Sequence, residues 1–320
     1  VSVNIELGSP PVWAPKPLPL HIPADEGVHP TDPVREVFPS CPLEPLFRAL
    51  EATCPTFNLK GTDLITDRRH LRLLLGYVGG SRKEFRIDAE VVGTTVMFSI
   101  WSVFEACYVD GSPKSGYGRN FEKMFTRVSD CSTGSITHNR AISYTFGGIK
   151  MILRFEVDGC IESNRVQSQQ PPPGARPPIT TPTGFRVVTS GLLAAPESIA
   201  ELKTTRTGKN LATSSNIAQL WFSRTPNLLM GYHRGEGTFS ELAETNVDVT
   251  GKLDQWEQTN TEKLQKLVKV LEMIQQVLRG LSVKKCAIIL QKGAEDLQVY
   301  ELDDRRYVFG LPADIKAKWD

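Results

Sequence analysis

Apolar and polar residues alternate with period two along Arg86–Trp101, on either side of Gly93, and again along Ala141–Phe146 and Ile149–Asp158, which flank Gly147-Gly148. Side chains of a strand point to alternate faces, so each stretch predicts a pair of strands joined by a tight turn. The spacing changes to three and four residues in Leu253–Leu278, where Leu253, Trp256, Leu264, Leu267, Val268, Leu271, Ile274 and Leu278 form one stripe and Gly280 supplies a stop. This is the longest expected helix. Shorter helices are expected over Leu46–Ala52, Arg68–Tyr77, Asn210–Phe222 and from Gly118 to about Val128, the last with Phe121, Met124, Phe125 and Val128 on one face. Apolar runs over Asn227–Tyr232, Lys285–Gln291 and Leu297–Leu302 predict further strands. The fold class expected from this mixture is α+β, with largely antiparallel central sheets flanked by helices.

Proline changes the picture at two places. Residues 8–46 are so rich in it that regular helix or sheet is not expected there, and residues 1–45 read as an extended arm laid on the body. A second proline-rich stretch, near 163–183, reads as a mobile surface insertion within one catalytic domain spanning 46–320. Of the 320 residues 40% are apolar, enough for a sizeable core. The net charge of +1 argues against a polybasic non-specific nucleic-acid binder, although Lys60, Arg68, Arg69, Arg72, Arg82, Lys83 and Arg86 gather positive charge early in the chain. A solvated helix face is the commoner meaning of such a run. Six cysteines without C-x-x-C or histidine spacing argue against zinc and suit reduced thiols in an intracellular protein, nuclear or cytoplasmic. With no apolar run near 18 residues, no membrane partner is expected.

The chemistry concentrates between Arg154 and Lys203. Glu156-Val157-Asp158 ends one apolar segment, and Glu201-Leu202-Lys203 follows Ile199-Ala200 inside another. Strand alternation would aim Glu156 and Asp158 to one side, and Glu201 and Lys203 likewise. Ionised acids so placed repel one another, and a hard divalent cation, Mg²⁺ or Mn²⁺, is their natural compensator. Acid-x-acid followed by acid-x-Lys is the layout of a restriction-nuclease-like metal core, in which metal ions clamp the attacking and leaving oxygens of a phosphodiester. Each motif alone is more often a solvated cross-strand pair. Glu122, beside the apolar stripe of its helix, could reach such a site; as an ordinary first-turn acid it would instead favour the helix dipole. No phosphate-cradling glycine loop or nucleophile elbow is present.

In this order the motifs resemble the DXO and Rai family of eukaryotic RNA 5′-end decapping nucleases, of fungal type. The resemblance rests on Leu64-Ile65-Thr66-Asp67-Arg68 with His70-Leu71, on Gly118-Arg119-Asn120-Phe121-Glu122, on the two acidic motifs with Thr204, and on Ile217-Ala218-Gln219 with Pro226-Asn227 and Gly231-Tyr232. Arg119 departs from an apolar position of the family motif, and His233 stands where the family often has arginine. The resemblance implies a hydrolase of RNA 5′ ends bearing incomplete or unmethylated caps, triphosphate, or NAD, with 5′-3′ exoribonuclease activity in some members. It further implies that Glu122, Glu156, Asp158 and Glu201, with the Leu202 carbonyl, hold two divalent cations. Lys203 and Gln219 would position the water and the scissile phosphate, and Arg68 would contact the substrate. A 5′-3′ exoribonuclease is the protein partner that the resemblance implies. Two rival readings stay open: a restriction-like DNA nuclease, and a stabilising partner of such an exoribonuclease.

Overall fold

The computed structural model describes residues 4–8, 10–102, 104–128, 137–162, 178–189, 193–208, 214–248, 250–303 and 310–320. Two seven-stranded mixed sheets dominate. The first runs, edge to edge, Asn139–Phe146, Ile149–Glu156, Leu64–Asp67, Thr95–Ile100, Phe85–Val92, Lys285–Leu290 and Gln298–Glu301. The second runs Leu20–His21, Thr238–Asn246, Asn227–His233, Ile199–Arg206, Gly159–Cys160, Val12–Trp13 and Thr126–Arg127. Parallel pairs sit inside both: Leu64–Asp67 lies parallel to each neighbour, and Ile199–Arg206 is parallel to Asn227–His233.

Both expected hairpins are present. Phe146 pairs with Ile149 across Gly147 and Gly148, whose φ values of +55° and +89° supply the left-handed backbone of a two-residue hairpin turn. Three helices, Arg68–Val78, Ser214–Ser223 and Lys252–Gly280, pack on one another. With residues of both sheets they build the largest core, which includes Leu71 and Leu74, Leu220 and Phe222, Leu267 and Leu271, and strand residues such as Leu153 and Met230. The stripe expected on the long helix is buried as expected, Val268 only in part. Alternation sends Ile65, Met97 and Ile152 to the opposite face of the first sheet, beneath helix Glu44–Thr53. Likewise Ala200, Leu202 and Leu229 pack on the far face of the second sheet with Phe121 and Phe125 of helix Gly118–Phe125.

Two expectations are corrected and one strand was not foreseen. Residues 8–46 do contribute regular structure: Val12–Trp13 is an interior strand of the second sheet, Leu20–His21 is its edge, Glu26–Pro30 pairs with Ala106–Asp110, and Pro33–Val37 is a helix. Two-residue strands fit between prolines because only a few amides must be donated. Helix Gly118–Phe125 stops before Val128, because Thr126–Arg127 pairs with Val12–Trp13 and the Thr126 hydroxyl donates to the Glu122 carbonyl at 2.7 Å; Met124 and Val128 are exposed. Strand Thr238–Asn246, with glutamates at positions 241 and 244, lacked the apolar alternation that would announce it. Of the proline-rich insertion, residues 163–177 lie outside the described residues, as do residues 210–213 of the expected Asn210–Phe222 helix; Ile179–Thr180 pairs with Arg186–Thr189 in a small separate sheet.

Candidate active site at the seam of two sheets

Strand Ile149–Glu156 belongs to the first sheet and Gly159–Cys160 to the second, so the chain crosses between them at Val157-Asp158. The acidic E-x-D motif is therefore a crossing point and not one continuous strand face. Glu156 stays on the rim, exposed, accepting a hydrogen bond from the Thr137 hydroxyl at 2.9 Å, while Asp158 turns into the second sheet. The pairing of Gly159–Cys160 with Ile199–Arg206 ends at Ala200. Just beyond it, the Leu202 amide donates to Asp158 Oδ2 at 2.9 Å.

Strand alternation puts Glu201 and Lys203 on one face, as expected, and Glu201 is fully engaged there. Lys203 Nζ and Gln219 Nε2 both donate to its Oε1, and Arg68 Nη1 donates to Oε2 at 3.1 Å. Three elements converge on this carboxylate. Arg68 is the first residue of helix Arg68–Val78 and follows directly on a strand of the first sheet; Gln219 lies on helix Ser214–Ser223 and Glu201 on the second sheet. The Ser223 hydroxyl, one helical turn after Gln219, accepts from Arg68 at 3.2 Å and fixes the guanidinium from behind. Nothing in the local pattern around Ser223 announced that role.

Glu122 enters from the other side. Its helix lies close on the second sheet because Gly231 has no side chain there: a Cβ would meet Phe121 Cε2 at 2.3 Å. The helix start is held by a carboxylate distant in sequence, Asp25, which accepts from the amides of Arg119 at 3.1 Å and Asn120 at 2.9 Å. Arg119, departing from the family motif, thus serves through its backbone. His233 packs edge-on against Tyr117 and near Phe239 in the aromatic core, and accepts from the Gly235 amide.

The electrostatics are those of an over-acidic site. Burial, then Asp158, pushes the Glu122 carboxyl up to about 8, with Glu156 and Glu201 adding to the rise against Lys203. Burial, then Glu201, pushes Asp158 up to about 7, against Lys203, the Leu202 amide and Arg68. For Glu201 burial pulls upward too, but Lys203 and Arg68 outweigh it and hold the carboxylate low. Lys203 is raised: burial disfavours its charge, and Asp158 and Glu201 more than restore it. Neighbouring acids that resist joint ionisation mark a functional site more often than a structural one.

Whether this set suits a divalent cation is answered by the ammonium of Lys203. It sits among three oxygen donors: Glu201 Oε1, Asp158 Oδ2 at 3.5 Å and the Leu202 carbonyl at 3.0 Å. Two carboxylates and a carbonyl around one cationic atom form a hard oxygen cradle of the kind Mg²⁺ and Mn²⁺ take. Among the described residues no three His, Cys, Asp or Glu side chains stand together closely enough to hold a metal ion by themselves. The donors fit because the third oxygen is backbone and Glu122 and Glu156 stand at the margin. All eight residues expected from the sequence, Arg68, Glu122, Glu156, Asp158, Glu201, Leu202, Lys203 and Gln219, lie at this seam, with Glu156 outermost.

A family model described as a domain of unknown function, DUF8563, matches residues 1–319. The chain belongs to that family. No curated protein matches it by sequence. Solved structures similar to it include S. pombe Rai1, at TM-score 0.59 and 14% identity, covering 92% of this chain and 88% of that one. Candida albicans Rai1, solved in complex with pU5-Mn²⁺, aligns at TM-score 0.58 and 11% identity over 86% and 79% of the two chains. K. lactis Dxo1, solved with manganese, aligns at 0.53 and 10% over 87% and 76%. At these identities the likeness is one of fold, and the resemblance read from the motifs is borne out at that level. Among the described residues no helix is long and apolar enough to cross a membrane.

Proposed function

We propose that this chain is a divalent-metal-dependent phosphodiester hydrolase acting on RNA 5′ ends. The observation that carries the reading is the convergence of Glu201, Asp158 and the Leu202 carbonyl on one cationic atom, with Arg68 and Gln219 bound to the same Glu201. Support comes from the shared fold with Rai1 and Dxo1, of which one is solved with pU5-Mn²⁺ and another with manganese.

Glu122, Glu156, Asp158 and Glu201, with the Leu202 carbonyl, would hold two such ions. The ions would supply a water nucleophile at neutral pH and charge stabilisation at the phosphoryl oxygens. The chain's own groups do the rest. Glu201 organises the corner, tying the helix start at Arg68 to the helix carrying Gln219. Arg68, braced by Ser223, presents a fixed guanidinium suited to a phosphate. Lys203 is short of no charge at any physiological pH, and its flexible stem allows it to leave Glu201 for the developing phosphoryl charge. Gln219 offers an amide that can orient a water or a phosphate oxygen.

RNA drawn in by its 5′ end, with its backbone as electrostatic handle, would place the phosphodiester after the first nucleotide over the acids. Cleavage there releases the cap with its nucleotide attached and leaves a 5′-monophosphate RNA. The test is a panel of 5′-end-labelled RNAs carrying guanosine cap, triphosphate, monophosphate or NAD, each beside its DNA counterpart, incubated with Mn²⁺ and resolved by chromatography. Release of intact GpppN supports the reading. Cleavage confined to DNA, or release of GMP or GDP, sinks it.

A further inference from the structure

Two residues of the basic run seen in the sequence, Arg69 and Arg72, line one cleft in the fold. Helices Arg68–Val78, Ser214–Ser223 and Lys252–Gly280 leave between them a cleft of about 550 Å³, lined among others by Arg69, Arg72, Ala218, Trp256, Asn260 and Lys263. Its basic residues come from two helices, and none of the lining side chains among the described residues is acidic. Gly76 and Gly79 also line it.

The cleft shares two helices with the site. Arg72 lies four residues after Arg68, one turn along the same face of its helix, and it feels the charges of both Arg68 and Glu201. Ala218 lines the cleft while its neighbour Gln219 binds Glu201. Arg69 and Arg72 make no ion pair and no side-chain hydrogen bond among the described residues, in contrast to Arg48, Arg68 and Arg154, each paired with a carboxylate. The Lys263 ammonium has a long contact to Asn260 Oδ1 at 3.5 Å. Arg72 is exposed, and the neighbouring positive charge of Arg68 disfavours its own, a repulsion that a bound anion would relieve.

We infer that this cleft is the track for the RNA backbone downstream of the reacting bond, with Arg69, Arg72 and Lys263 taking successive phosphates. The inference rests on the proposed RNA reading and names where that substrate lies once its 5′ end is seated. Specificity for sequence is not expected of it, because phosphate contacts position a strand without reading its bases.

The experiment compares wild type with Arg72→Ala/Lys263→Ala, using 5′-monophosphate oligouridylates of two and eight nucleotides. Binding is followed by fluorescence anisotropy in Ca²⁺ and cleavage in Mn²⁺. Wild type should bind the octamer more tightly than the dimer. The double variant should lose roughly tenfold in octamer affinity, keep its dimer affinity and dimer cleavage, and show a salt slope smaller by about 1.4, about 0.7 for each lost contact with a single strand. A control lacking Lys60 and Lys318, which lie with the opposite face of the first sheet, should resemble wild type. Unchanged octamer affinity and salt slope in the double variant overturn the track while leaving the hydrolase reading standing. Equal loss for dimer and octamer overturns it as well, since the residues would then act at the 5′ end. If wild type neither binds nor cleaves either RNA, the hydrolase reading falls and the track with it.

Discussion

Two charged networks lie within one residue of each other in sequence, and they are built to opposite ends. Asp67 closes a strand of the first sheet and meets Arg154 through both oxygens, at 2.6 and 2.9 Å, while Arg154 also donates to the Pro42 carbonyl. That network is balanced, one charge against one. Arg68, the next residue, joins the other network, in which Glu122, Glu156, Asp158 and Glu201 face Lys203 and Arg68. Four formal negative charges against two positive leave an excess of two that added cations would offset. A balanced buried pair holds structure together; an unbalanced one stores an affinity that something else must satisfy.

The widest break in the comparison is Glu156→Ala with Asp158→Ala. Hydrolysis should fall by 10³-fold or more in order of magnitude, as metal and transition-state contacts go together. The metal-free melting temperature should stay level or rise, because mutual repulsion is relieved. Rate measurements beside thermal melts decide, and a variant that is inactive because it melts far below wild type would make these acids structural. Asp67→Ala should do the reverse, leaving Arg154 buried without a counter-charge at a cost of about 3–5 kcal/mol in urea titrations. Stability equal to wild type would show that the balanced pair holds little.

Lys203→Ala is expected to sharpen the contrast on the catalytic side: kcat drops by roughly 10²-fold while RNA affinity changes little, as for a group that acts on charge developing in the transition state. Single-turnover rates beside filter binding separate the two, and a pure affinity loss would demote Lys203 to a phosphate contact. The smallest effect is on pH. Glu122 and Asp158, raised to about 8 and 7, stabilise the metal-free fold most while protonated; that contribution is complete below their ordinary values of 4.5 and 3.8 and is lost as pH rises through 7 and 8. His70 and His138 run the other way. Burial depresses both to about 4 from 6.5, so their contribution stands above 6.5 and is lost as pH falls through 4. Metal-free melting temperature should peak between these limbs, and Mn²⁺ should raise it more at pH 8 than at pH 6. A Mn²⁺ increment independent of pH would contradict the raised carboxyls.

The sequence disclosed the site better than it disclosed the frame that holds it. Glu201-Leu202-Lys203 and Glu156-Val157-Asp158 stand out because charge within apolar runs is rare and period two says which way it points. The hairpin about Gly147-Gly148 and the long helix were legible for the same reason, regular spacing over many residues. Val12–Trp13 was not, since two residues between prolines carry no period. The switch of sheet at Val157-Asp158 was hidden as well: alternation describes a strand but is silent about which sheet receives the next one. The cap on Glu122's helix came from Asp25, distant in sequence, and the brace on Arg68 from Ser223, where a serine at the end of a helix signals nothing by itself.

The crossing at Val157-Asp158 also orders events in time. Glu201 comes from one sheet, Arg68 from the end of an interior strand of the other, Asp158 from the crossing between them, and Gln219 from a helix in the core shared by both. Neither half, folded alone, owns the constellation. Catalytic competence therefore requires the two sheets to be docked, and regain of turnover on refolding reports that docking where regain of secondary structure does not.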